Sequence, residues 1–269
     1  MSQLAVNARM YSVTPAVKAD WRCLLQWVLA HADLDWQVID HDAPAPLSSL
    51  WARNDIGAAM MCGLPFSQRE PRPTLVAAPI PSPPRYDGKP VYFTDIVVRA
   101  DSPFQAIEET FGGVVGYTLA DSLSGGVALA TYLQQFRSTQ RPRLYRQSVG
   151  NLIHARGVID ALAEGIIDVG PLDSYYRDLL QRNDPSFAAK IRTIASTPAL
   201  PIPPLVATAA ISAAELQRLR AALQAAGESN DMTAVMERLL LEGFAFPSPA
   251  DYSRLAQMPS RIATSFEEL

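Results

Sequence analysis

Proline placement constrains this chain more than any other feature. Seven prolines fall within residues 71–90 and four within residues 198–204. Proline fixes φ, lacks the backbone N–H, and can extend neither a helix interior nor a central strand. Each cluster therefore reads as a stop followed by an extended crossing. Disorder would need low hydrophobicity, whereas 48% of these residues are apolar and only 19% charged. Two crossings around a central block divide the 269 residues into a discontinuous lobe one, residues 1–97 plus 200–269, and a lobe two, residues 98–199. That length suits two modest domains.

The periodicities between the clusters alternate. Thr14-Pro15 offers an N-cap followed by proline at the first helical position, and Val17, Trp21, Leu24, Leu25, Val28 and Leu29 then recur at helical spacing to about Ala32. Residues 36–39 and 56–61 read as strands around a short helix at 47–53. Residues 91–99 form a β-rich run after the first proline cluster, which looks like a crossing between lobes. The central block continues with strands at 114–118, 145–149, 167–172 and 191–196 and helices at 124–136 and 153–163. After the second cluster come a strand at 205–209, a helix opened by the capping box of Ser212 and Glu215, and a helix at 231–242 with Gly243 in the C′ position. Alternation of this kind predicts α/β lobes, each a mixed, mostly parallel sheet flanked by helices, with a ligand cleft between them.

The 23 basic and 27 acidic residues give a net charge of −4 with no polybasic segment, which argues against a nucleic-acid or membrane-surface binder. Cys23 and Cys62 are too few and too far apart for a disulfide framework or zinc site, and His31, His41 and His154 add no metal-ligand spacing. No metal or cofactor is expected. Cys23 lies within an apolar helical pattern and is expected to be buried. The first thirty residues lack the pattern of a secretory signal, and no apolar stretch is long enough to span a membrane. A cytoplasmic setting is expected as the sequence stands, and a periplasmic one if a leader preceded it.

The most informative segment is Asp121-Ser122-Leu123-Ser124-Gly125, between a strand and a helix. Two hydroxyls beside unpaired N-terminal amides can hold an oxyanion without a basic residue, and glycine admits a ligand to the backbone. The competing reading is that Ser124 only caps its helix. A nucleophilic Ser124 lacks the glycine two positions earlier that a nucleophile elbow requires. Asp173, at the end of a strand, can anchor a ligand or cap the helix that follows. His154 opens a helix and can face a cleft or cap. Tyr11 and Cys62, with Gly63, end the first and third strands, and Tyr92 and Thr94 lie on the crossing strand.

Met10-Tyr11, Met61-Cys62-Gly63-Leu64-Pro65, the run from Tyr92 to Pro103, the serine loop, and the segments from Arg156 to Gly165 and from Ile167 to Asp173 together resemble, in this order, phosphate/phosphite/phosphonate-type ABC transporter substrate-binding proteins. The resemblance runs from Met10 to about Tyr252 and implies the type II periplasmic-binding-protein fold. It assigns the grip on a phosphate or phosphonate to Ser122, Ser124 and Gly125, with Tyr11, Cys62 and Gly63 contributing from lobe one. It further implies a small anionic ligand of phosphate, phosphonate or carboxylate type, hinge closure near Val97 and Thr197, an ABC transporter permease as partner, no cofactor and no catalytic residue. Where that family often reads Gly-Ser-His, this chain has Gly150-Asn151-Leu152-Ile153-His154. The same fold hosts cytosolic decarboxylases, cofactor-biosynthesis enzymes and ligand sensors. For an enzyme, Asp173 and His154 form the expected acid/base pair, with Cys62 the remaining candidate.

Overall fold

In the computed structural model, which describes residues 3–42, 45–262 and 266–268, the first long helix begins where its cap requires. The Thr14 hydroxyl accepts the Val17 N–H at 3.2 Å and Pro15 takes the first helical position. The chain then runs β1 (Ala5–Asn7), α1 (Pro15–His31), β2 (Gln37–Val38), α2 (Leu47–Trp51), β3 (Ile56–Met60), α3 (Gly63–Gln68), β4 (Thr74–Pro81), β5 (Val91–Tyr92), β6 (Thr94–Arg99) and β7 (Val114–Gly116). A π-type turn (Leu123–Val127) leads into α4 (Ala128–Leu133), followed by β8 (Gln147–Val149), α5 (Ala155–Ala163), β9 (Gly170–Asp173), α6 (Ser174–Asn183) and α7 (Pro185–Ala188). The remainder is β10 (Ile191–Ser196), β11 (Leu200–Pro201), β12 (Leu205–Ala207), α8 (Ala213–Glu228), α9 (Thr233–Arg238) and β13 (Leu241–Ala245).

The molecule has two units, residues 1–91 with 201–253 and residues 92–200 with 254–269. The expected divisions at 97/98 and 199/200 therefore fall at 91/92 and 200/201, and the chain passes between units a third time after Ser253. β6 belongs wholly to the second unit because it is the middle strand of that unit's three-stranded sheet. The tail, expected in lobe one, lies with the second unit because Ile262 and Phe266 pack on its core and the Phe266 ring sits 4.6 Å from Tyr117.

The first unit is built on one six-stranded sheet, ordered β13-β4-β12-β3-β1-β2. β1 pairs in parallel with β2 and β3, while the strands that return later in the chain, β12 and β13, pair antiparallel with their neighbours. Parallel pairing is thus confined in this unit to the βαβ beginning of the sequence. Val17, Trp21, Leu24, Leu25 and Val28 are the buried stripe of α1, which packs on α8 and α9. Cys23 falls off that stripe and is exposed, contrary to the sequence expectation.

The first proline cluster holds a strand. β4 occupies residues that read as a crossing, and Pro79 and Pro81 lie opposite Phe244 and Leu241 of β13. On its other side β4 is paired only from Thr74 to Ala77. The Ser82 N–H donates to Leu240 C=O at 2.9 Å, so the alternation of backbone directions sends the N positions of Pro79 and Pro81 away from β13, past the end of the β12 ladder. No ladder bond is lost there. The helix expected at 231–242 stops at Arg238. Leu240 turns the chain at φ 52°, and Gly243, expected as a helix terminator, lies inside β13 opposite Ile80.

The second unit has smaller sheets: β10-β6-β9, all antiparallel, and the parallel pair β7-β8. Its core joins Ile96 and Val98 of β6, Val115 of β7, Leu129 and Leu133 of α4, and Tyr145. Burial pushes the Tyr145 phenol up, and its oxygen is 3.0 Å from the Thr110 hydroxyl.

Candidate functional site

The serine loop starts a helical run that opens with a π-type turn. Ser122 is the N-cap, its hydroxyl accepting the Gly125 N–H at 3.2 Å. Ser124 is not the cap; it lies one residue inside the helix. The Val127 N–H bonds back to Ser122 C=O and the Ala128 N–H to Leu123 C=O, a wide first turn of the sort that recurs at functional sites. Amides ahead of Val127 have no partner one α-turn back, and the positive end of the helix dipole lies there.

Gly125 is required for a reason that the sequence does not show. A Cβ at this position would sit 1.8 Å from Thr118 Oγ1 and 2.8 Å from Ser122 Oγ. The side that glycine leaves open is taken by the Thr118 hydroxyl, and the Thr118 N–H donates to Gly125 C=O at 2.8 Å. Thr118 is buried. It joins Ser122 and Ser124 as a third hydroxyl-bearing residue of the loop, one that a local motif cannot reveal because it arrives from the end of β7.

Thr94 and Asp173 are brought to the same place. They pair directly across β6 and β9, and the buried Thr94 hydroxyl donates to Ser124 C=O at 3.4 Å. Asp173 caps α6 by accepting the Tyr176 N–H at 3.0 Å. Tyr92 is buried in β5, at the first crossing. Two hydroxyls not foreseen from the sequence fix this strand: Ser174 Oγ accepts the Phe93 N–H at 2.9 Å and Thr197 Oγ1 accepts the Thr94 N–H at 3.0 Å.

His154 is also a helix cap, with Nδ1 accepting the Gly157 N–H at 3.0 Å. The loop before it is strained. The His154 N–H bonds to Leu152 C=O at 2.7 Å around Ile153, which has φ 66°. That is a γ-turn in the left-handed region, rare for any side chain and most costly for a β-branched one, on the order of 1–3 kcal/mol. Beyond it, Arg156 pairs with Asp184 at 3.2 Å and lies 4.4 Å from the Phe187 ring. Hydrogen bonding to Arg156 holds the Asp184 carboxyl below the usual range, while burial pushes the Tyr176 phenol up.

The remaining candidates belong to the first unit. Tyr11 closes a short 3₁₀ turn (Arg9–Tyr11) after β1 and is buried, and Cys62, half-buried, precedes the buried Gly63 at the start of α3. Parallel pairing of β1 with β3 puts both at the same end of the sheet. Among the described residues no cluster of His, Cys, Asp and Glu could hold a metal ion, and no helix is long and apolar enough to cross a membrane.

Residues 17–252 match the family model of phosphonate ABC transporter periplasmic substrate-binding proteins. Among solved structures, a binding-protein component of an ABC phosphonate transporter from Pseudomonas aeruginosa superposes with a TM-score of 0.76 at 17% identity, covering 96% of this chain and 86% of that one. PhnD1 from Prochlorococcus marinus, solved with methylphosphonate, gives 0.76 at 14% identity over 96% and 97%. XAC2383 from Xanthomonas citri, solved with ATP, gives 0.65 at 19% identity over 97% of both chains. These likenesses establish the two-lobe fold of type II periplasmic binding proteins. No curated protein matches the sequence.

Proposed function

Because this chain belongs to the family of periplasmic substrate-binding proteins of phosphonate ABC transporters, we propose that it captures a small oxyanion, a phosphonate, phosphate or carboxylate, at the helix start formed by Ser122, Ser124 and Gly125, with Thr118 beside them. Tyr92, Thr94, His154 and Asp173 are the further contacts expected from the second unit, and Tyr11, Cys62 and Gly63 those from the first. A periplasmic setting follows from the family, and the partner is a transporter permease. Hinge closure, expected from the sequence near Val97 and Thr197, belongs to the same reading, with the crossings now at the unit boundaries 91/92 and 200/201.

The observation that carries this reading is the hydroxyl-rich π-type turn at Ser122–Gly125, where backbone amides and the helix dipole favour an anion without a basic side chain. Catalytic turnover is not part of it. Asp173 and His154, the pair an enzyme would use, are each engaged as a helix cap. Isothermal titration with methylphosphonate and with inorganic phosphate tests the site. The double substitution Ser122→Ala, Ser124→Ala should weaken binding by about 1.5–3 kcal/mol for each charge-assisted bond lost. Unchanged affinity in the double variant would remove the assignment.

A further inference from the structure

Ile153 is 61% exposed and held at φ 66°, an arrangement that folding alone does not explain. Asparagine or glycine adopts this conformation at lower cost, and an exposed isoleucine gains no burial in return. Its neighbours are engaged. The Leu152 side chain reaches in toward Gly116, the Tyr117 ring fills the space over Gly150, and His154 caps α5. The γ-turn turns Ile153 outward, as the apolar member of an exposed group with Asn151 and His154.

The turn adjoins the serine loop through a single dipeptide. Tyr117 C=O accepts the Leu152 N–H at 3.4 Å, and the next residue's N–H, that of Thr118, donates to Gly125 C=O at 2.8 Å. On the same segment Leu119 is 39% exposed, and its carbonyl accepts the Ser122 N–H at 3.1 Å. Two exposed apolar residues are therefore tied through short backbone links to the segment that carries the three hydroxyl residues, within one unit, and one of them is maintained against backbone strain.

We propose that Ile153, with Leu119, determines specificity by contacting an apolar substituent carried by the oxyanion, so that the ligand class is an alkyl- or aryl-bearing phosphonate or carboxylate and not inorganic phosphate. This inference rests on the oxyanion reading of the serine loop. Strain retained at a ligand contact is a recognised use of such backbone positions, and an apolar side chain beside an anion grip is selective only for a ligand with both parts.

Titration of the full chain with inorganic phosphate, methylphosphonate, butylphosphonate, phenylphosphonate and butyrate tests it, together with the melting temperature of the unliganded protein. Affinity should rise by about tenfold or more from methylphosphonate to butylphosphonate or phenylphosphonate, and butyrate separates the carboxylate from the phosphonate class. Ile153→Gly and Ile153→Asn should each raise the unliganded melting temperature by relieving the turn. Each should also cut the preference for the larger substituent by about threefold or more while leaving methylphosphonate affinity within about twofold. A preference that survives in both variants, or no preference in the unsubstituted protein, overturns the inference and leaves the oxyanion site standing. If none of these oxyanions binds, the reading of the site falls and the inference falls with it.

Discussion

The two units satisfy their backbones in different ways. The first closes six strands into one sheet, caps its two long helices with Thr14 and Ser212, and supports a strand where Arg220 donates to the carbonyls of Val76 and Leu75. The second splits its strands into groups of three and two. Its helix starts are capped by Ser122, His154, Asp173 and Asp184. Candidate ligand chemistry concentrates where the sheet is interrupted, because an interrupted sheet leaves backbone groups to be met by hydroxyls, carboxylates or a ligand.

The strongest way to break that contrast is to fill a glycine on each side. Gly125→Ala drives a Cβ into Thr118 and Ser122 and should cost about 1–3 kcal/mol as overpacking, together with most oxyanion affinity. Thr118→Ala in the same chain should restore part of the stability. Gly243→Ala in β13 meets nothing within 4 Å and should stay within about 0.5 kcal/mol. Denaturant unfolding decides between them, and equal losses would show that the second unit is no more tightly fitted at its loops than the first is in its sheet.

A smaller effect separates cap from contact inside the serine loop. Ser122→Ala should destabilise by about 1 kcal/mol through loss of the N-cap. Ser124→Ala should leave stability within about 0.5 kcal/mol and act on binding alone. If thermal melts of the unliganded protein rank the two in the opposite order, the helix does not begin where the Ser122 bond puts it.

The smallest expected effect is a pH dependence in the second unit. The Asp184 carboxyl is held below its usual range, chiefly by its hydrogen bond from Arg156. A depressed carboxylate contributes stability that is fully present above the unfolded value of about 3.9 and is lost as pH falls through the lower folded value. Asp184→Asn keeps a side chain able to cap α7 and removes only the charge. Its melting temperature should lie below that of the unsubstituted protein at pH 7, and the gap should close below about pH 4. A gap that persists in acid would reject the Arg156 pairing as its cause.

What the sequence could tell follows the range of each physical cause. Thr14-Pro15 and the Ser212–Glu215 box were legible because a cap acts over three residues, and both bonds are present. β4 was not, since its prolines are tolerated only because the β12 ladder ends opposite Ala77, which is a fact about another strand. Gly243 follows a leucine run that continues the helical pattern, but Leu240 turns the chain first. In the site, Ser122, Ser124 and Gly125 stood out as a local motif, and Thr94 and Asp173 as strand positions that β6 and β9 align. Thr118 and the turn at Ile153 are not legible in the sequence, because one acts across a non-local contact and the other is a backbone angle.

The prolines of β4 also remove a polar demand that the sheet leaves open. Pro79 and Pro81 are buried, and beyond Ala77 no β12 residue is paired with the side of β4 that faces away from β13. An amide N–H buried on that side without an acceptor would cost about 1–3 kcal/mol. Proline carries no N–H, so at these two positions the strand enters the interior with no donor left to satisfy. The residues that look most like punctuation in the sequence thus let β4 run on past the end of its partner.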